Sequence, residues 1–182
     1  MKRILIVGAG GQIGSELTTY LRKIYGASNV VATDVRECGK LAEGGPFEVL
    51  NALDAKAMAS VVERYKIDAI FNLVALLSAV GEKNPQTAWN INIGALMNAL
   101  EVAREYGCAL FTPSSIGAFG PTSPKDKTPQ DTIMQPTTIY GVCKVTGELL
   151  GNYYFQRYGV DTRSVRFPGI ISNVTLPGGG TT

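Results

Sequence analysis

Arg3-Ile4-Leu5-Ile6-Val7-Gly8-Ala9-Gly10-Gly11-Gln12-Ile13-Gly14 is the stretch that decides the fold. A continuous apolar run closing on a glycine is the pattern of a strand covered on both faces. From Gln12 the period changes. Ile13, Leu17, Leu21 and Ile24 fall on one face of a helix over residues 12–24, and Gly26 lies just past its end as a cap. The glycines thus join a buried strand to a helix N-terminus, whose free N–H groups and positive dipole end attract an anion. Gly8 allows a tight turn, Gly11 removes a side chain that would strike a pyrophosphate, and Gly14 lets the helix approach the sheet. Gly8, Gly10, Gly11, Gln12, Ile13 and Gly14 are therefore expected to line a dinucleotide-binding turn.

Working outward, strand and helix patterns alternate. Strands are expected over residues 29–33, 47–50, 68–74, 108–112 and 162–166, and helices over 55–65, 85–106 and 138–158. Pro85 suits the first turn of the long helix and Gly107 its end, with Trp89, Ile93, Leu96, Leu100 and Ala103 on one face. Residues 116–135, broken by Pro121, Pro124 and Pro129, read as a loop. Such alternation requires right-handed crossovers, hence an α/β protein with a doubly wound parallel sheet and helices on both faces. The 182 residues suit one domain.

Composition narrows the chemistry. The chain is 45% apolar and 18% charged with a net charge of +2, and its basic residues are scattered, which argues against nucleic acid as a partner. Histidine is absent, which removes Ser-His-Asp hydrolysis and the usual zinc sites; no metal is expected. Cys38, Cys108 and Cys143 lie far apart and suit reduced thiols in the cytoplasm. The most apolar segment, residues 69–80, is too short for a membrane span and contains Asn72 and Ser78, so no membrane association is expected.

Asp34 closes the second strand twenty residues after Gly14, where a carboxylate can hold both ribose hydroxyls and repel a 2′-phosphate. This favours NAD, while the guanidinium of Arg36 leaves NADP open. Tyr140 and Lys144, four residues apart, share one helix face. A phenol titrating near about 10 is a weak base at neutral pH, but a nearby ammonium and an oxidised nicotinamide both favour phenolate. Tyr140 can then take a hydroxyl proton while hydride leaves the same carbon. Ser114 and Ser115 follow the fifth strand at its carboxyl end, where open α/β sheets bind ligands, and a hydroxyl there can bond the reacting oxygen.

Together the Gly8 turn, Asp34, Ser114-Ser115 and the Tyr140/Lys144 pair resemble the short-chain dehydrogenases. The Gly8-x-x-Gly11-x-x-Gly14 form points to their extended branch, the NAD-dependent epimerase/dehydratase family, with its Rossmann fold. Leu76-Leu77-Ser78-Ala79-Val80-Gly81-Glu82, residues 113–121 (PSSIGAFGP) and residues 166–171 (RFPGII) are similar to the bacterial-type L-threonine 3-dehydrogenases. The resemblance implies an oxidoreductase of threonine catabolism, oxidising the C3 hydroxyl of L-threonine to 2-amino-3-ketobutyrate. It places Asn51 and Ala52 at the adenine and Leu73, Ala75 and Ile170 on the nicotinamide side, counts Pro168, Asn92, Tyr140 and Lys144 among the cofactor-binding residues, with Lys144 on the nicotinamide ribose, and has Asn92 support the catalytic group. Threonine would meet Ser78, Ser115, Tyr140 and Thr181. Asn51 and Ala95 depart from the family's usual aspartate and glycine. The resemblance also implies an NAD-binding domain over residues 1–182, truncated before a further substrate-binding region. It implies a homodimer through the two long helices, with Val145, Leu149 and Tyr153 as the seam. A sugar-nucleotide epimerase or dehydratase uses the same machinery and stays open, as does a non-catalytic cofactor-binding fragment.

Overall fold

The structure is a computed structural model that describes residues 3–172. β1 (Ile4–Val7) is buried along its whole length and runs between β2 (Val30–Asp34) and β4 (Ala69–Asn72), with Ile4 opposite both Val30 and Ala69. Such double coverage explains why β1 is continuously apolar rather than alternating. Among the described residues the main sheet is six-stranded and parallel. Its order is β3 (Phe47–Val49), β2, β1, β4, β5 (Ala109–Phe111), β7 (Thr162–Arg163). The chain winds outward from β1 in both directions, and ligands of such sheets lie at the reversal point, beyond the carboxyl ends of the strands.

Successive residues of β1 feed opposite layers. Leu5 and Val7 pack with Met58, Val61 and Val62 of α3 (Ala55–Tyr65), with Leu96 and Leu100 of α5 (Pro85–Tyr106) and with Tyr154 of α6 (Ile139–Tyr158). Ile4 and Ile6 pack with Leu21 of α1 (Gln12–Tyr25) and Leu41 of α2 (Gly39–Glu43). Helices therefore cover both faces, and each fully buried aliphatic side chain contributes about 1.5–3 kcal/mol. Asp54, Asn84 and Thr138 cap α3, α5 and α6 by accepting from Ala57, Thr87 and Gly141 N–H groups.

Three local expectations change. The strand expected over residues 162–166 divides: β7 joins β5 in the main sheet, whereas β8 (Arg166–Phe167) pairs with β6 (Ser114–Ser115) in a separate two-stranded sheet. The mostly polar stretch Thr162-Arg163-Ser164-Val165-Arg166 carries no signal of which of two partners each residue will meet. Trp89, expected in the core-facing stripe of α5, is 41% exposed. Ala88, Ala95 and Ala99 are fully buried instead, because small residues let α5 pack closely. The loop over residues 116–135 opens with a 3-10 turn, Ile116–Ala118, and α2 and α4 (Ser78–Gly81) were not anticipated, being too short for a periodic signal.

Arg22 was also missed. Its buried guanidinium donates to the carbonyls of Val30, Leu41 and Pro46, stapling α1 to the β2–β3 side of the sheet. The three cysteines are free thiols, as expected, with Cys108 and Cys143 buried. On the outer face of α6, Leu149 and Tyr153 are exposed and Val145 is partly buried. Among the described residues no helix is long and apolar enough to cross a membrane, and no His/Cys/Asp/Glu cluster could hold a metal ion.

Candidate active site

The carboxyl ends of β1, β4, β5 and β6 open into a cavity of about 500 Å³. One wall is the glycine turn. Gly8 adopts φ +87° and, with Ala9, donates to the Thr33 carbonyl of β2. A side chain on Gly14 would lie 2.3 Å from the Gly8 oxygen, so Gly14 is dictated by the protein's own packing. Gly11 differs: a Cβ there meets only the Gly8 oxygen, at 3.5 Å. The fold leaves that position open, and Gly11, as the N-cap of α1, offers no side chain to the first N–H groups of the helix. An uncovered helix N-terminus beside an open glycine fits a dinucleotide pyrophosphate. Gly10 donates to Asp34 Oδ2 at 2.9 Å, and Arg36 N–H to Oδ1 at 3.2 Å, so Asp34 is clasped to the turn by backbone alone.

The opposite wall carries Tyr140 and Lys144. Both follow Thr138 on the first turns of α6, and the spacing of four brings them to one side, with Lys144 Nζ 5.2 Å from the centre of the Tyr140 ring. Lys144 Nζ donates to the Pro113 carbonyl at 2.7 Å. Burial pushes the Lys144 ammonium down to about 8, against a slight upward pull from Cys143. Burial holds the Tyr140 phenol above its ordinary value, and a hydrogen bond with Ser115 works against that. Within the chain the Ser115 hydrogen bond favours the phenolate, and the Lys144 ammonium lies beside the same ring. Ser115 Oγ also accepts from Gly117 N–H. Gly141 permits this approach, since a Cβ there would lie 2.3 Å from the Gly117 oxygen.

The depressed Lys144 value has a consequence for stability. The ordinary value of 10.5 applies to the unfolded chain, which between about 8 and 10.5 binds more protons than the folded one. Stability from this group therefore rises with pH across that window. Lys144→Met is expected to lose that rise in urea denaturation; parallel curves for the two proteins would assign it elsewhere.

The remaining expected residues sort by place. Gln12, Ile13, Leu73, Ala75, Ser78, Pro168 and Ile170 line the cavity. Gln12 Nε2 reaches the Ile170 carbonyl at 3.4 Å, joining the two rims. Asp34, Arg36 and Asn51 lie outside the enclosed part, towards the surface where β2 and β3 end, and Ala52 beside them is buried in the core. The Asn51 side chain accepts from Leu53 N–H, and Asn98 of α5 donates to the Ala52 carbonyl. Asn92 does not reach the cavity; it pairs with both backbone groups of Leu76, at 2.6 and 3.1 Å, and so fixes the chain beside Ser78. Thr181 lies outside the described residues.

Ser114 lines the cavity beside Ser115. Expected beside Ser115 on the reacting oxygen, its buried hydroxyl donates to Glu148 Oε1 at 2.5 Å. Successive strand residues point to opposite sides, so the Ser114 hydroxyl turns to Glu148 while the Ser115 hydroxyl stays with Tyr140. Glu148 and Arg166, neither singled out from the sequence, form a bidentate ion pair beneath it. Burial pushes the Glu148 carboxyl up, but hydrogen bonds from Arg166 and Ser114 outweigh this and hold it below the usual range. The repeat Tyr140, Lys144, Glu148 at four-residue steps was the available signal.

A 3-2-1-4-5 parallel sheet closed by a sixth strand, with a glycine turn facing a Tyr-Lys-Ser wall, defines a Rossmann-type dinucleotide-binding protein. The sequence profile described as the NAD dependent epimerase/dehydratase family matches residues 4–178, and the chain belongs to that family, whose cofactor is NAD. An uncharacterized epimerase/dehydratase of Staphylococcus saprophyticus is 59% identical over 184 residues, covering 100% of this chain and 58% of that protein. The chain thus spans 58% of the length of this curated relative. Among solved structures, an L-threonine dehydrogenase from Clostridium difficile superposes with a TM-score of 0.96 at 54% identity, over 99% of this chain and 57% of that one. A GalE-like L-threonine dehydrogenase from Cupriavidus necator, in its holo form, gives 0.94 at 52% identity, over 98% and 58%.

Proposed function

We propose that this chain carries the cofactor site and reacting groups of an NAD-dependent dehydrogenase that oxidises the C3 hydroxyl of L-threonine to 2-amino-3-ketobutyrate. The observation that carries the reading is the meeting of Tyr140, Lys144 and Ser115 on one wall of the cavity, across from the open glycine at Gly11. Likeness to threonine dehydrogenase structures, at 54% and 52% identity, supports L-threonine as the substrate.

Tyr140 Oη takes the proton of the substrate hydroxyl, and Ser115 Oγ holds the same oxygen in place. Bound NAD supplies the acceptor for the hydride that leaves C3, so that threonine and NAD give the ketone, NADH and one proton. Lys144, anchored on Pro113, keeps its ammonium beside the phenol and favours the ionised form once substrate and cofactor exclude water. Gly8, Gly10, Gly11, Gln12, Ile13 and Gly14 hold the pyrophosphate, Asp34 the adenosine ribose, with Arg36, Asn51 and Ala52 at the adenine end. Leu73, Ala75, Pro168 and Ile170 enclose the nicotinamide. Ser78 and Ser115, with Tyr140, face the amino acid.

The family's name favours a second reading, a nucleotide-sugar epimerase or dehydratase, in which hydride returns to the sugar. An absorbance assay separates the two, run on this chain and on one extended to the length of its relatives. Threonine with NAD is expected to accumulate NADH, and nucleotide sugars are not. Conversion of a nucleotide sugar without net NADH would replace the proposal. Tight NAD binding without either reaction would leave a non-catalytic cofactor-binding protein.

A further inference from the structure

The reacting edge of the groove is assembled from α6, β6 and β8, and a single carboxylate touches all three. Glu148 projects from α6 one turn beyond Lys144. Its Oε1 accepts from Ser114 Oγ of β6 at 2.5 Å and from Arg166 Nε of β8 at 2.8 Å, and its Oε2 accepts from Arg166 Nη2 at 2.7 Å. The pair is largely buried, at 16% and 15% side-chain exposure. Arg166 continues outward, with Nη1 on the Gln130 carbonyl at 3.0 Å and its guanidinium 5.2 Å from the Phe119 ring. The loop over residues 116–135 is thereby tied to the same point.

The two strands need such an anchor. β6 and β8 share only two paired positions, Ser114 with Arg166 and Ser115 with Phe167, too short a ladder to fix its own register. The first residue of each strand binds Glu148. The next residue of each, Ser115 and Phe167, lines the cavity, and residues 168–170 continue that wall. We infer that Glu148 and Arg166 are positioning residues. They hold Ser115 and the wall at residues 167–170 in register with Tyr140 and Lys144, and so shape the nicotinamide end of the cofactor site without touching it. This rests on the reading of that end of the groove as the nicotinamide site.

The test compares NADH, followed by its nicotinamide fluorescence, with ADP-ribose, which carries the adenosine and pyrophosphate but no nicotinamide. Glu148→Gln keeps the side chain's shape but breaks the fork to Arg166, and Arg166→Lys keeps the charge but not the fork. Each is expected to weaken NADH binding by about tenfold, the worth of one good hydrogen bond, with ADP-ribose binding within about twofold. Ser114→Ala removes one of the three bonds with little change of volume and is expected to give a smaller loss of the same pattern. It keeps the test open should the charge variants fold poorly. Parallel losses for both ligands, or no loss for either, would overturn the inference. A wild-type chain that binds NADH with no change in nicotinamide fluorescence would instead remove the reading beneath it.

Discussion

Tyr140→Phe is expected to lower NADH production by about a hundredfold to ten-thousandfold, the range for losing a positioned general base, while NAD still binds. The change removes one oxygen and keeps the ring. Ring packing is the part the fold uses: a Cβ on Gly117 would lie 3.5 Å from the Tyr140 ring carbons, so the ring sits directly against the turn after Ser115. Ser115 Oγ retains its bond from Gly117 N–H, so the variant leaves that hydroxyl satisfied. In the proposed mode NAD is held by the glycine turn and α1 across the cavity, so its binding does not depend on the phenol oxygen. Calorimetry for NAD and the NADH assay on the same preparation check both halves. Turnover unchanged in the phenylalanine variant would move the base to another group.

The second large effect contrasts two glycines of one turn. Gly11→Asp is expected to leave the fold intact or slightly firmer, since the site is open and an aspartate N-cap accepts from the first N–H groups of a helix. The carboxylate would then occupy the donors proposed for the pyrophosphate and repel it. At close range near a protein surface two unit charges interact by about 4 kcal/mol, roughly a thousandfold in affinity. Gly14→Ala should act the other way round. Its Cβ would meet the Gly8 oxygen at 2.3 Å and Ala9 Cα at 2.7 Å, both backbone atoms that cannot swing aside. A loss of stability of about 1–3 kcal/mol or more follows from such overpacking. Urea denaturation and NAD calorimetry on the two variants check the contrast. NAD binding that survives Gly11→Asp would take the pyrophosphate out of this turn.

Much of this was legible along the chain because helices and strands declare themselves locally. Residues 55–65 and 85–106 match α3 and α5 at both ends, because capping residues mark where a helix starts and Gly107 marks where one stops. The four-residue spacing of Tyr140 and Lys144 put them on one face without any knowledge of the sheet. Trp89 shows the limit of periodicity, which finds a stripe but does not weigh a large ring against the close packing that Ala95 and Ala99 allow.

The sequence by itself determined that a buried strand turns through glycines into a helix, and that a phenol and an ammonium share one side of a later helix. Those are properties of neighbours in the chain, set by backbone geometry and side-chain period. Only the tertiary structure decided that Ser115 faces Tyr140 while Ser114 turns to Glu148, that Lys144 rests on Pro113, and that residues 162–167 serve two sheets. These depend on groups far apart in the chain, 34 residues for Ser114 with Glu148 and more for Leu110 with Thr162. A hydroxyl or a cation takes whichever partner folding brings within reach, and that choice is made by packing, where sequence spacing carries no information.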